Sequence, residues 1–238
     1  MRILVTNDDG IDSAGLRLLA DTARRYGEVF IIAPDGQRSA SSHSFTYNKP
    51  VIIRDYDYKM ENVTAYTCSG TPADCVRTGM IKVLPEKPDF VFAGINTGYN
   101  ICWDIQYSGT LGAAMEGSFI GAQAIAFSQG SPERSEVAEA YLDELMRECM
   151  SKPLGIGKVW NVNFPDCTLS ECRGIKRNCM VSTDRFYEDD YEMTTLEDGS
   201  KSLMIAVGRN WKASSGTDLE AVMGNYISVG IVNNLGIM

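Results

Sequence analysis

Short apolar runs and polar turns alternate from the start of the chain. Residues 2–6 (RILVT) read as a buried strand, ended by the turn-forming Asn7-Asp8-Asp9-Gly10. Leu16, Leu19, Ala20 and Ala23 then recur at helical spacing within residues 13–26, with Asp12 or Ser13 as cap and Gly27 as stop. Residues 28–33 (EVFIIA) make a second strand, stopped by Pro34. Strand, helix and strand in that order predict a parallel sheet with a right-handed crossover.

The rhythm continues. Residues 35–47 are polar and Ser-rich, a loop; 51–54 and 64–68 are short strands. Thr71 caps, and Pro72 opens, a helix over 72–83. Residues 89–95 form a central strand ending on Asn96, and 110–121 a small-residue helix. A strand over 124–128 follows, then a helix opened by Ser131-Pro132 and running to about Met150, with Glu136 and Glu139 on its wet face. Residues 159–163 are expected to close the sheet. After Pro165 the pattern changes: residues 170–205 alternate polar and apolar, carry Glu188, Asp189 and Asp190, and contain an Asp198-Gly199 turn. Residues 217–232 read as a short helix and a strand. The expected fold is one α/β domain over residues 1–238, a Rossmann-like three-layer sandwich with a mostly parallel central sheet. Its core is 1–169, and 170–238 supply a C-terminal β-hairpin arm and tail.

Composition narrows the function. The chain has 238 residues, 22 Lys plus Arg and 31 Asp plus Glu, hence a net charge of −9. Such a chain is a poor duplex nucleic-acid binder, which needs a basic stripe. A small anionic substrate stays open, because a metal can supply local positive charge. The single histidine, His43, must carry any His-based step. The seven cysteines contain no CxxC pair, and Cys167, Cys172 and Cys179 match no zinc spacing. The opening shows no signal-peptide pattern, so reduced thiols and a cytoplasmic location are expected. No apolar run reaches the ~18 residues a membrane span needs.

Asp8 and Asp9 follow the first strand, at the edge where open α/β sheets bind ligands. Adjacent carboxylates repel, and a hard divalent ion with oxygen ligands relieves them. A solvated turn accounts for them as well on pattern alone. Asn96, in Gly94-Ile95-Asn96-Thr97-Gly98, ends another central strand at the same rim, either as ligand or as turn. Ser108-Gly109-Thr110 opens a helix, where N–H groups and hydroxyls suit an anion and Thr110 suits an N-cap. Ser39 and His43 lie in the polar loop that can reach this rim, and His43 titrates in the range of a proton donor. Dinucleotide, P-loop and nucleophile-elbow motifs are absent.

Four blocks, MRILVTNDDGIDSAGLRLLA, APDGQRSASSHSFT, SGTPADCV and GINTGYNICWDIQYSGTLGAAMEG, resemble the SurE family of metal-dependent 5′/3′-nucleotidases in order and spacing over residues 1–121. TDLEAVMGNYISV is a weaker echo. The resemblance implies one Mg2+ or Mn2+ ion held by Asp8, Asp9, Ser39 and Asn96. It implies phosphate contacts in the Tyr107–Thr110 segment, from Ser108, Gly109 and Thr110 together with Asn96. The implied reaction is hydrolysis of nucleoside 5′-monophosphates, with 3′-monophosphates and polyphosphate as further substrates. Asp8 or Asp9 would handle the water, and His43 is the candidate acid for the leaving alkoxide. A homodimer or homotetramer built by the 170–238 arm is also implied. Two departures stand out. Cys102 replaces a usual Gly, which bears on the pocket edge. Gly230-Ile231-Val232 replaces Thr-Pro-Leu, which bears on C-terminal packing.

Two other phosphate-handling classes fit the sequence less well. A haloacid-dehalogenase-type phosphotransferase needs Asp-x-Asp, which Asp8-Asp9-Gly10 lacks. A signalling receiver needs an acceptor Asp where Asn96 stands, and is about half this length.

Overall fold

In the computed structural model, which describes residues 1–210 and 212–233, the opening follows the pattern. Strand β1 (Arg2–Thr6), helix α1 (Ala14–Ala23) and strand β2 (Glu28–Pro34) are joined by tight turns. Ser13, not Asp12, caps α1: its hydroxyl accepts the Leu16 N–H. Next come β3 (Ile53–Tyr56), β4 (Val63–Cys68) and α2 (Pro72–Thr78). Thr71 and Asp74 close a reciprocal capping box at the start of α2. The helix expected over 72–83 changes character at Gly79, where a wider π turn covers Gly79–Val83.

Strand β5 (Phe90–Thr97) leads through a short 3-10 helix at Cys102–Tyr107, which the periodicity had not marked, into α3 (Gly109–Ile120). Ser108 caps α3, where Thr110 had been a candidate: Ser108 Oγ accepts the Leu111 N–H at 3.0 Å. Then follow β6 (Gln123–Gln129), α4 (Glu136–Met150) and β7 (Lys158–Phe164). Helix α4 begins at Glu136, four residues beyond Pro132.

Six strands, β4-β2-β1-β5-β6-β7, run parallel, and β3 pairs antiparallel on the β4 edge. Strand side chains alternate between faces. Ile3 and Val5 pack with α1 and α4 in one apolar cluster; Leu4 packs with α2 and α3 in the other. The three layers expected from the sequence are present.

Strand β7 does not close the sheet. After β8 (Ile175–Cys179), β9 (Tyr187–Thr195), β10 (Lys201–Arg209) and α5 (Asp218–Met223), strand β11 (Ile227–Asn233) returns and pairs antiparallel with β7. Strand β8 lies outside it, parallel to β11. Side-chain pattern reports which faces of β7 are buried and not whether its second hydrogen-bonding edge is paired, so nothing local marks the further neighbour. Gly230, Ile231 and Val232 pair with Asn161, Trp160 and Val159, so the altered C-terminal segment still completes the ladder. Among the described residues, only β9 and β10 stand apart, as a two-stranded hairpin closed at Leu196–Ser200 around the expected Asp198-Gly199 turn.

Candidate active site

The carboxyl ends of β1 and β5 lie side by side, and both lead into polar turns. Asn7 builds the first turn. Its amide nitrogen donates to Gly10 O at 3.0 Å and to Ser13 Oγ at 2.7 Å, and its Oδ1 accepts the Gly10 N–H. This fixes where the next two carboxylates point.

Asp8 is 4 % exposed. Its Oδ1 accepts the Thr110 hydroxyl at 2.6 Å, and its backbone carbonyl accepts the Arg38 N–H at 2.7 Å. Burial pushes the Asp8 carboxyl up to about 6 against the pull of Thr110, and the neighbouring Asp9 charge adds to the rise. Asp9 is also raised by burial, while its Oδ2 accepts the Thr97 N–H at 2.9 Å and so ties the first turn to the end of β5. Asn96 donates from Nδ2 to Gly98 O at 2.8 Å, which leaves its Oδ1 free to accept. Ser39 Oγ accepts from Gln37 Nε2 at 3.0 Å.

A cavity of about 580 Å3 opens here, lined by Asp8, Ser39, Asn96 and Ser108, with Tyr107 and Asp104 beside them. Asp9 stands at its rim through Thr97. Gly109 and Thr110 do not line it. Thr110 is committed to Asp8. Gly109 is where the loop and β1 press on α3: a Cβ there would lie 2.5 Å from Ser41 Oγ and 3.0 Å from Asp8 Cβ. Only glycine permits that approach.

His43 is not among the residues lining the cavity. Its Nε2 is 2.8 Å from Glu116 Oε2 and its ring stacks on Phe119, with centroids 5.5 Å apart. The expected acid for the leaving group is thus placed beside the cavity, against the start of α3, with its Nε2 on Glu116 and one ring face on Phe119.

Sequence reasoning missed the outer wall. Tyr187, Asp189, Tyr191 and Ile205 of the hairpin line the same cavity, as do Tyr99 and Asn100. The period of two in β9 puts Tyr187, Asp189 and Tyr191 on one face, but no local signal says which surface that face meets. Asp104, raised by burial, accepts the Tyr187 N–H at 3.4 Å and anchors the hairpin base.

Among the described residues no three His, Cys, Asp or Glu side chains converge as a metal cluster. The donors at this site are two carboxylates, a hydroxyl and an amide oxygen. That all-oxygen set suits a hard divalent ion rather than zinc. The raised carboxyls fit the same reading, since a buried acid and a half-buried one side by side are relieved by a cation.

Fold and site together define an α/β protein with an acidic, oxygen-donor pocket at the carboxyl edge of a parallel sheet. The chain belongs to the SurE family: the model described as "Survival protein SurE" matches residues 3–188. A "5'-nucleotidase SurE" of Clostridium botulinum is 38% identical over 233 residues, covering 96% of this chain and 91% of its own. A protein of the same name from Xylella fastidiosa is 35% identical over 248 residues, covering 96% and 88%. The crystal structure of the SurE protein from Aquifex aeolicus shares a TM-score of 0.83 at 33% identity, over 100% of this chain and 95% of that one.

Proposed function

We propose that this chain is a metal-dependent nucleotidase that hydrolyses nucleoside 5′-monophosphates to nucleoside and phosphate. The observation that carries it is the buried Asp8 carboxylate, set beside Asp9 and held by Thr110 at the mouth of a cavity, in a chain whose relatives are named 5'-nucleotidases.

Asp8, Asp9, Ser39 and Asn96 would hold one Mg2+ or Mn2+ ion, which when bound supplies positive charge and Lewis acidity at a phosphate oxygen. Ser108 and Asn96 line the cavity and donate to the remaining phosphate oxygens. Asp9 or Asp8 takes a proton from the attacking water, the ester P–O bond breaks, and the nucleoside leaves as its alcohol. With His43 engaged elsewhere, the leaving oxygen draws its proton from solvent at the open side.

The reading extends to 3′-monophosphates and, as a secondary substrate, to terminal phosphates of polyphosphate, which offer the same group to the same residues. We further infer a homodimer or homotetramer, supported by the exposed Met193, Leu203, Met204 and Ile205 of the hairpin. A cytoplasmic setting is supported by seven free cysteines; no helix of the described residues is long and apolar enough to cross a membrane.

The test is phosphate release from a panel of nucleoside 5′- and 3′-monophosphates and polyphosphate, with Mg2+, Mn2+ or chelator. Release that requires the metal supports the reading; no release from any monophosphate with either metal overturns it.

A further inference from the structure

We propose that Glu116 is a positioning residue for this site: through His43 it clamps the loop that carries Ser39 onto the start of α3. The inference rests on the reading of Asp8, Ser39 and Asn96 as one donor set.

The loop over residues 35–47 has no regular structure and is held in an unfavourable shape. Ala40 and Ser42 have φ of 55° and 53°, in the left-handed region that side chains other than glycine resist. Ser42 O sits 2.3 Å from where a Cβ on Gly112 would be, so the loop presses directly on the α3 backbone. Ser41 Oγ is buried there with no hydrogen-bond partner, a further cost. Ser39 itself is exposed, and its hydroxyl is held only by the neighbouring Gln37 side chain. The Arg38 N–H bonded to Asp8 O at 2.7 Å holds the near end of the loop; beyond it these terms favour lifting, which would loosen Ser39 against Asp8.

What opposes them is a cluster around one carboxylate. Glu116 lies on α3 and is 5 % exposed. Its Oε2 meets His43 Nε2 at 2.8 Å, and its Oε1 accepts Arg77 Nη1 of α2 at 2.7 Å. Phe119 stacks on the far face of His43, and the Arg77 guanidinium lies 5.1 Å over the ring of Phe45, farther along the same loop. Burial alone would raise the Glu116 carboxyl; His43 and Arg77 hold it below its ordinary value. Weaker ties complete the clamp: Ser42 N donates to Tyr107 O at 3.0 Å, and Thr46 N to Asp74 Oδ1 at 2.9 Å. Glu116 touches no cavity residue's reacting groups. Its effect passes through His43 to the loop, which explains why the single histidine is placed beside the site and not in it.

The test compares Glu116→Ala, His43→Ala, the double variant and Glu116→Gln in the full chain. Three quantities are read: native-state trypsin cleavage after Arg38, Mn2+ binding by calorimetry, and kcat separately from KM. Glu116→Ala and His43→Ala should each speed cleavage after Arg38 about tenfold, without speeding it elsewhere, and weaken Mn2+ by a similar factor. The double variant should fall clearly short of the product of the two single effects, since both break the His43–Glu116 contact while Glu116 also holds Arg77 and His43 also stacks on Phe119. Glu116→Gln should recover most of the loss, because a carboxamide can accept from Arg77 and donate to the neutral imidazole. Additive effects, or cleavage and Mn2+ affinity within about twofold of the parent in both single variants, would overturn the proposal. Should Glu116→Ala not fold, His43→Ala and Glu116→Gln carry the same comparison. Absence of nucleotidase activity in the parent protein would defeat the functional reading alone, since cleavage after Arg38 is measured without substrate.

Discussion

The Thr110 hydroxyl, at the first turn of α3, donates to Asp8 Oδ1 at 2.6 Å across 102 residues of chain. It joins the helix start to the end of β1, and it is the contact by which α3 sets the orientation of the Asp8 carboxylate. Thr110→Val keeps the shape and removes the donor. A hydrogen bond to a charged group contributes roughly 1.5–3 kcal/mol, so metal-dependent activity should fall about tenfold or more. An Mn2+ titration of activity checks this, and a curve matching the parent would refute it.

Asp8→Asn separates function from stability. Replacing one of the two carboxylates should abolish metal-stimulated turnover, by about two orders of magnitude or more. It also removes a buried charge that burial and Asp9 both disfavour. Without added metal, the variant should therefore unfold at a temperature equal to or above the parent's at neutral pH. Calorimetry of both metal-free proteins reads this directly; a clear drop in the variant would count against the placement of Asp8.

Acid stability should depend on Glu148. Its pairing with Arg177, at 2.7 and 3.0 Å, and then with Lys152, holds its carboxyl down at about 2. A depressed folded value means that the contribution is present above the unfolded value of about 4.5 and is lost as pH falls toward 2. Glu148→Gln should cost about 1 kcal/mol at pH 7, with the gap closing between pH 4.5 and pH 2. Urea unfolding across that range measures it, and a gap that does not narrow in acid speaks against the pairing.

Cys102 occupies a position of positive φ, 57°, with its N–H donated to Asp218 Oδ2 at 3.0 Å. This accounts for the glycine expected there from the family resemblance. Cys102→Gly relieves the backbone but loses a buried side chain, so its stability should stay within about 1 kcal/mol of the parent. Cys102→Val adds a β-branch where φ forbids one and should cost more than about 2 kcal/mol. Thermal unfolding of both variants checks the pair, and Val tolerated as well as Gly would refute the account.

The parallel core was legible because its signals are local. Alternating buried strands, Ser13 and Thr71 at helix starts, and Gly27 and Pro34 at stops each follow from a few neighbouring residues. So does the acidic turn after β1, whose position at the sheet edge follows from strand order alone. The choice of Ser39 among the loop serines came from family resemblance rather than from spacing.

Contacts between distant segments were decided only by the tertiary structure. The sequence placed Asp8, Asp9, Asn96 and Ser108 at strand ends and a helix start, but not that Thr110 would turn inward to hold Asp8. Nor could it say that His43 would bind Glu116, or that β11 would extend the sheet past β7. The hairpin face of Tyr187, Asp189 and Tyr191 reads as amphipathic from its period, yet its role as the cavity's outer wall depends on where the chain returns after β8. Backbone propensity and burial pattern act over one or two turns. The partner of a side chain is set by which segments the packed sheet and helices bring within about 3 Å of each other.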